Sequence, residues 1–281
     1  MKRCVQAAGF LAFAPLAEAD PLDGLIARYQ SFVEAVDPDE AARSAGVAAT
    51  SWGRVRPRDI AERAASARAL LDAINASGTA RTVDGAILKR LLEEEVRAET
   101  FDTARIPFTG DWGFQAAPVF AAMRLRLKSE ADAEAWIRRL NDVPRFFAEH
   151  RVNMARGITT GWTANADPLR TTRAQIEAQI VADPARSELY APFLALPEAI
   201  PPQTAAHLRA EGLAATARAI EAYRDTARFI DLAYAPSARR GAGSHARHGA
   251  GRIRAFAGSS GCLFAFFGGR ISSTQSSGAQ P

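Results

Sequence analysis

The residues that could hold a metal or activate water are few. Histidine occurs at 150, 207, 245 and 248, and cysteine at 4 and 262. No His opens an H-E-x-x-H pattern, which would set two zinc ligands one helical turn apart with a glutamate base between them. His245-x-x-His248 with Cys262 is three ligand types in order, but their spacing is unlike that of known sites. His150 and His207 fall in helical stretches and read as surface or packing residues. Walker and G-x-S-x-G patterns are absent, and Gly241-Ala242-Gly243 lacks the strand and helix that a dinucleotide fingerprint needs.

The most distinctive cluster is Asp111-Trp112-Gly113-Phe114. A carboxylate beside two aromatic rings in a loop could line a substrate cleft. The two rings could instead plug the loop into a helical core, and that reading is favoured.

The elements around this loop read as helix after helix. Asp20-Pro21-Leu22-Asp23 supplies a cap, a proline at the first helical position and an acid in the first turn, and apolar residues then recur at helical spacing to Val36. Further helices are expected over 57–76 and 82–101, the second with Ile87, Leu88, Leu91, Leu92 and Val96 inside and Glu93 to Glu95 solvated. Pro107, Gly110, Gly113 and Pro118 punctuate a loop over 102–120. Helices resume at Ser129, where Ser129 and Asp132 form a capping box. Another is expected from Asp142-Val143-Pro144 to a C′ glycine at Gly157. Two more open at Asp167-Pro168 and Asp183-Pro184, and a long one runs from Pro201-Pro202 towards Tyr234. No segment alternates as a strand would. The expected fold is all-α, an array of about seven or eight helices in two or three layers.

The ends differ from this body. Lys2 and Arg3, the short apolar run to Leu16 and the small residues Ala17 and Ala19 have the layout of a secretory signal, so residues 1–19 are expected to be removed on export to the periplasm or beyond. The run is too short to span a bilayer, so no membrane span is expected after removal. The helical domain is expected over 20–235 and a disordered or aberrant Gly/Arg/Ser-rich tail over 236–281. The net charge of +4 sits in that tail: residues 232–281 hold six Arg and no acid, which leaves −2 for the rest. The arginines are dispersed and lack interleaved stacking aromatics, so nucleic-acid binding is not expected.

The stretch from Thr109 to Thr163 resembles part of a bacterial domain-of-unknown-function family, number 885. The Gly110-Asp111-Trp112-Gly113-Phe114 loop, Val143-Pro144-Arg145-Phe146-Phe147 and Arg156-Gly157-Ile158-Thr159 carry the likeness. It continues through "TTRAQIEAQIVADPARSELYAPF" and "AYRDTARFIDLAYAPSARRGAG" and covers about residues 22–240, as the N-terminal half of the family pattern. The resemblance implies an exported helical protein similar to gluzincin-type zinc metallopeptidases, with peptides as substrates and zinc as cofactor in full-length relatives. The family's H-E-x-x-P-G-H helix has no counterpart in these residues, and the likeness departs near Gly243. The expectation is a truncated member with an aberrant end, no cofactor of its own and no peptidase activity. The alternative is a self-contained periplasmic interaction module.

Overall fold

The computed structural model describes residues 21–110 and 112–239. The signal-like segment 1–19, Asp111, His245, His248, Cys262 and the tail from Arg240 onward lie outside the described residues. Eight α-helices run among the described residues: α1 Pro21–Val36, α2 Pro38–Ala45, α3 Pro57–Ser77, α4 Val83–Phe101, α5 Ala117–Arg124, α6 Glu130–Thr159, α7 Ala166–Ala178 and α8 Pro202–Phe229. Only isolated bridges, Phe108 with Gly113 and Asn165 with Arg239, interrupt the all-α pattern among those residues.

Local chemistry explains most boundaries. Pro57 starts α3 and Gly78, at φ 73°, ends it in the left-handed region where a Cβ is disfavoured. The Thr82 hydroxyl caps α4 by accepting from the Gly85 N–H. Ser129 caps α6 by accepting from the Asp132 N–H, and the Asp132 carboxylate accepts in turn from the Lys128 N–H. Pro38 ends α1 as expected but also opens α2, because Asp37 accepts from the Asp39 and Glu40 N–H groups.

Several expectations fail for physical reasons. Pro144 does not begin a helix; it lies inside the single thirty-residue α6, whose Leu140, Val143, Phe146 and Phe147 are buried on both sides of it. Proline in a helix interior costs one hydrogen bond and a clash, about 3 kcal/mol, and the burial of those side chains outweighs it. Gly157 is not a C′ glycine either. A Cβ there would meet the Trp162 carbonyl at 2.6 Å, so it is a close-packing residue, and the positive φ belongs to Gly161. The segment after Asp183 forms only 3-10 turns at Pro184–Arg186 and Ala191–Ala195. α5, within and beyond the expected loop, is an added helix. Ile87, expected inside, is half exposed.

Two apolar clusters result. The smaller joins Leu22, Leu25, Ala67, Leu70, Ile74, Leu88 and Leu92 from α1, α3 and α4. The larger is built on α6 and α8 and takes in Phe114, Phe147, Phe193, Tyr223 and Tyr234. α8 continues through a π-turn at Ile230–Tyr234, and Arg239 then lies back along residues 163–166, donating to the Ala164 carbonyl and accepting from the Ala166 N–H.

Candidate functional site

The segment linking the two clusters, residues 47–56, lies against α6 and is held there by polar groups. The Trp52 N–H donates to Asp142 Oδ2 at 2.8 Å, and its indole N–H donates to the Arg139 carbonyl at 2.9 Å. The Trp52 ring stacks on Phe146 at 5.4 Å while the Arg139 guanidinium covers it at 3.9 Å. Three residues on, the Val55 N–H donates to Glu149 Oε2 and the Val55 carbonyl accepts from Asn153. Asp142, Arg145, Glu149 and Asn153 recur at helical spacing, so one stripe of α6 meets the whole segment.

Arg145 sits at the centre. Its guanidinium donates through Nε and Nη2 to the two oxygens of Asp142, each at 2.7 Å, and Nη2 also reaches the Trp52 carbonyl. Nη1 lies 2.9 Å from Glu149, whose side chain is 8% exposed. The hydrogen bonds to Asp142 raise the Arg145 pKa further above its ordinary value. Arg56 binds Asp59 through two bonds, which holds that carboxyl below the usual carboxylate range, and stands 3.6 Å from Glu149. Asp142, Glu149 and Asp59 are thus each paired with arginine.

Above this network opens a cleft of about 1060 Å³ between α1, α3 and α6. Ala27, Ser31 and Ala35 form one wall, Ser66, Ala69 and Leu70 the other, and Trp52 and Arg145 lie along it. Arg28, Glu34, Arg54 and Glu62 add charge of both signs.

The loop singled out by sequence goes elsewhere. Phe114 is buried in the larger cluster, stacked on His150 at 4.5 Å and edge-on to Phe147 at 5.1 Å. Trp112 is 51% exposed and packs its ring on Phe120 of α5 at 4.8 Å. Gly113 is required for close approach, since a Cβ there would come within 2.6 Å of the Phe108 side chain. The favoured reading of the two rings as plugs therefore holds for Phe114 and not for Trp112. Gln115 next to this loop bonds Gln175 of α7, and its carbonyl accepts from the Tyr223 hydroxyl of α8 at 2.7 Å.

His150, read from sequence as an ordinary residue, is the unusual one. It is buried between Phe114 and Phe146 with no hydrogen-bond partner for Nδ1. Burial, with Arg145 nearby, pushes its pKa down to about 3, so it is neutral. His207 stands on the surface beside Glu211. Among the described residues no three His, Cys, Asp or Glu side chains converge as metal ligands would.

A family model described as "Bacterial protein of unknown function (DUF885)" matches residues 40–255. The chain belongs to the DUF885 family. The DUF885 match begins eighteen residues after the likeness expected from residue 22 and runs past Gly243, where a departure was expected. In this DUF885 protein the match takes in the whole segment 47–56, the Arg145 network and the Trp112–Phe114 loop. No curated protein matches the chain. Sequence motifs alone pointed to 111–114; the Arg145 network escaped them because the segment it holds, around Trp52 and Val55, lies about ninety residues away in sequence.

Proposed function

We propose that this DUF885 protein is an exported helical body of a zinc-metallopeptidase-like protein, and that residues 21–239 bind rather than cleave. The resemblance implies peptides as the substrate class, and the cleft between α1 and α3 suits one. Small residues on both walls let an extended backbone approach, and charges of both signs stand ready for its polar groups.

The observation that carries the reading is how the α6 carboxylates Asp142 and Glu149 beside that cleft are engaged. Water activation needs a base whose lone pair faces the substrate. Both Asp142 oxygens accept from Arg145, and Glu149 is engaged by Val55, Arg145 and Arg56. A catalytic zinc takes three protein ligands. His150 is enclosed by rings and His207 is on the surface of another helix, so the described side chains do not fit that ion. No catalytic step is derived through it.

The test is to incubate the purified chain with a mixed peptide pool and added zinc, and to follow cleavage by mass spectrometry and bound metal by elemental analysis. Neither cleavage nor stoichiometric zinc is expected, while peptide binding is expected to fall when Ser66→Trp fills the cleft. Cleavage, stoichiometric zinc or binding indifferent to Ser66→Trp would overturn the proposal. A second reading, a self-contained interaction module, draws on the scatter of exposed apolar side chains over separate elements: Val47, Val83, Val152, Leu213 and Leu232. It expects a monomer that unfolds in one cooperative step and binds no peptide in the cleft.

A further inference from the structure

We propose that the face formed by Trp112, Phe120, Met123, Arg124 and Lys128 docks on an anionic lipid surface. The ring of Trp112 lies on Phe120 at 4.8 Å and is half exposed. Phe120 and Met123 stand three apart on α5 and so share a side of that helix, and Met123 is 61% exposed. Trp112 and Met123 are exposed and Phe120 is half-buried, so this side of the helix offers apolar surface.

Beside that surface the chain leaves α5 and runs extended to Ser129. Side chains alternate along such a run. Leu127 turns inward and is buried, Leu125 is half-buried, and Arg124, Arg126 and Lys128 are exposed. The cations therefore form a row roughly 13 Å long at an extended rise per residue. Arg126 is partly engaged, donating to the Met123 and Leu125 carbonyls. Residues 112–128 contain no Asp or Glu. The flanking acids in sequence are Asp111 on one side and Glu130 and Asp132 on the other, and Asp132 is committed to the Lys128 backbone N–H.

An exposed tryptophan and methionine beside cations of one sign is the chemistry of a peripheral membrane contact. The indole partitions to the headgroup level, the apolar chains enter the acyl boundary, and Arg and Lys pair with anionic headgroups. No helix among the described residues is long and apolar enough to cross a membrane, so the contact is superficial. Charge selects the occupant: an acidic surface complements this face, and a neutral lipid surface does not.

The test uses the full chain and vesicles of phosphatidylcholine with or without phosphatidylglycerol, read by co-sedimentation. Binding is expected only with the anionic lipid and should fall as salt rises. Each cation is worth about fivefold in affinity, so Arg124→Gln with Lys128→Gln should weaken binding roughly thirtyfold. The basic residues beyond 239 are unchanged in that variant, so binding through them would leave the affinity intact. With brominated lipid, fluorescence quenching should fall sharply in Trp112→Phe, because Trp52 and Trp136 are buried and Trp162 is half-buried with Arg105 and Arg239 over its ring. Equal binding by the double variant, no preference for anionic vesicles, or quenching undiminished in Trp112→Phe would each overturn the proposal.

Discussion

His150→Leu isolates one buried group whose ionisation opposes folding. In the folded chain His150 lies between Phe114 and Phe146, and burial lowers its pKa from 6.5 to about 3. The unfolded chain leaves the same imidazole in water near its ordinary value. Below that value the unfolded state binds a proton that the folded state refuses, so stability falls as pH drops through the window from 6.5 to about 3. Above the window both states are neutral and the group contributes no pH dependence. Each pH unit inside it is worth about 1.4 kcal/mol. Two units below the unfolded value, at about pH 4.5, the native protein should have lost about 3 kcal/mol through this residue alone. Leucine has similar bulk and no proton to gain. Urea unfolding of both proteins at about pH 8 and about pH 4.5 gives the quantity needed: the change in the difference between native and variant. Every other ionisable group is common to both proteins and drops out of that difference. The variant should gain about 2–3 kcal/mol relative to the native chain on acidification. A difference that stays constant across that range would refute the burial of a neutral imidazole at this position.

Glu149→Gln keeps the shape of the side chain but removes the charge facing Arg145 and Arg56; because Arg145 retains Asp142, a loss of about 1–3 kcal/mol in urea unfolding is expected, with no loss indicating that the link is not formed in solution. Two glycine substitutions should have opposite signs. Gly24→Ala on exposed α1 meets nothing within 4 Å and should stabilise by about 0.5–1 kcal/mol, whereas Gly212→Ala in α8 places its Cβ 2.6 Å from the Phe193 ring and should lower the melting temperature. Tyr223→Phe removes the donor to the buried Gln115 carbonyl and should cost about 1–2 kcal/mol, measured in the same unfolding experiment.

Helices with strong punctuation were legible in the sequence. Pro57, Thr82 and the residues around Gly78 marked α3 and α4 to within a residue or two, because caps act over one turn and need no distant partner. Where a local signal competed with packing, the local signal misled. Pro144 looks like a helix start, yet the apolar residues flanking it continue one buried face of α6. Asp183-Pro184 does cap a turn, but the chain makes only short 3-10 pieces before Pro197. α2 and α5, at eight residues each, are too short for periodicity to stand out. At the site, the aromatic loop was noticed because Trp and Phe beside Gly are rare in a helical pattern. That Phe114 meets His150, or Trp52 meets Asp142, depends on how remote segments pack, and no spacing rule reports it.

The division of the apolar core has a kinetic consequence. The cluster of α1, α3 and α4 is separate from the one on α6 and α8, and apart from the buried Trp52 ring residues 47–56 fasten to α6 through hydrogen bonds and ion pairs. Water competes for those groups as it does not for buried leucine. The N-terminal helices should therefore open at lower free energy than the rest, with their amide protons exchanging with deuterium ahead of those in α6 and α8.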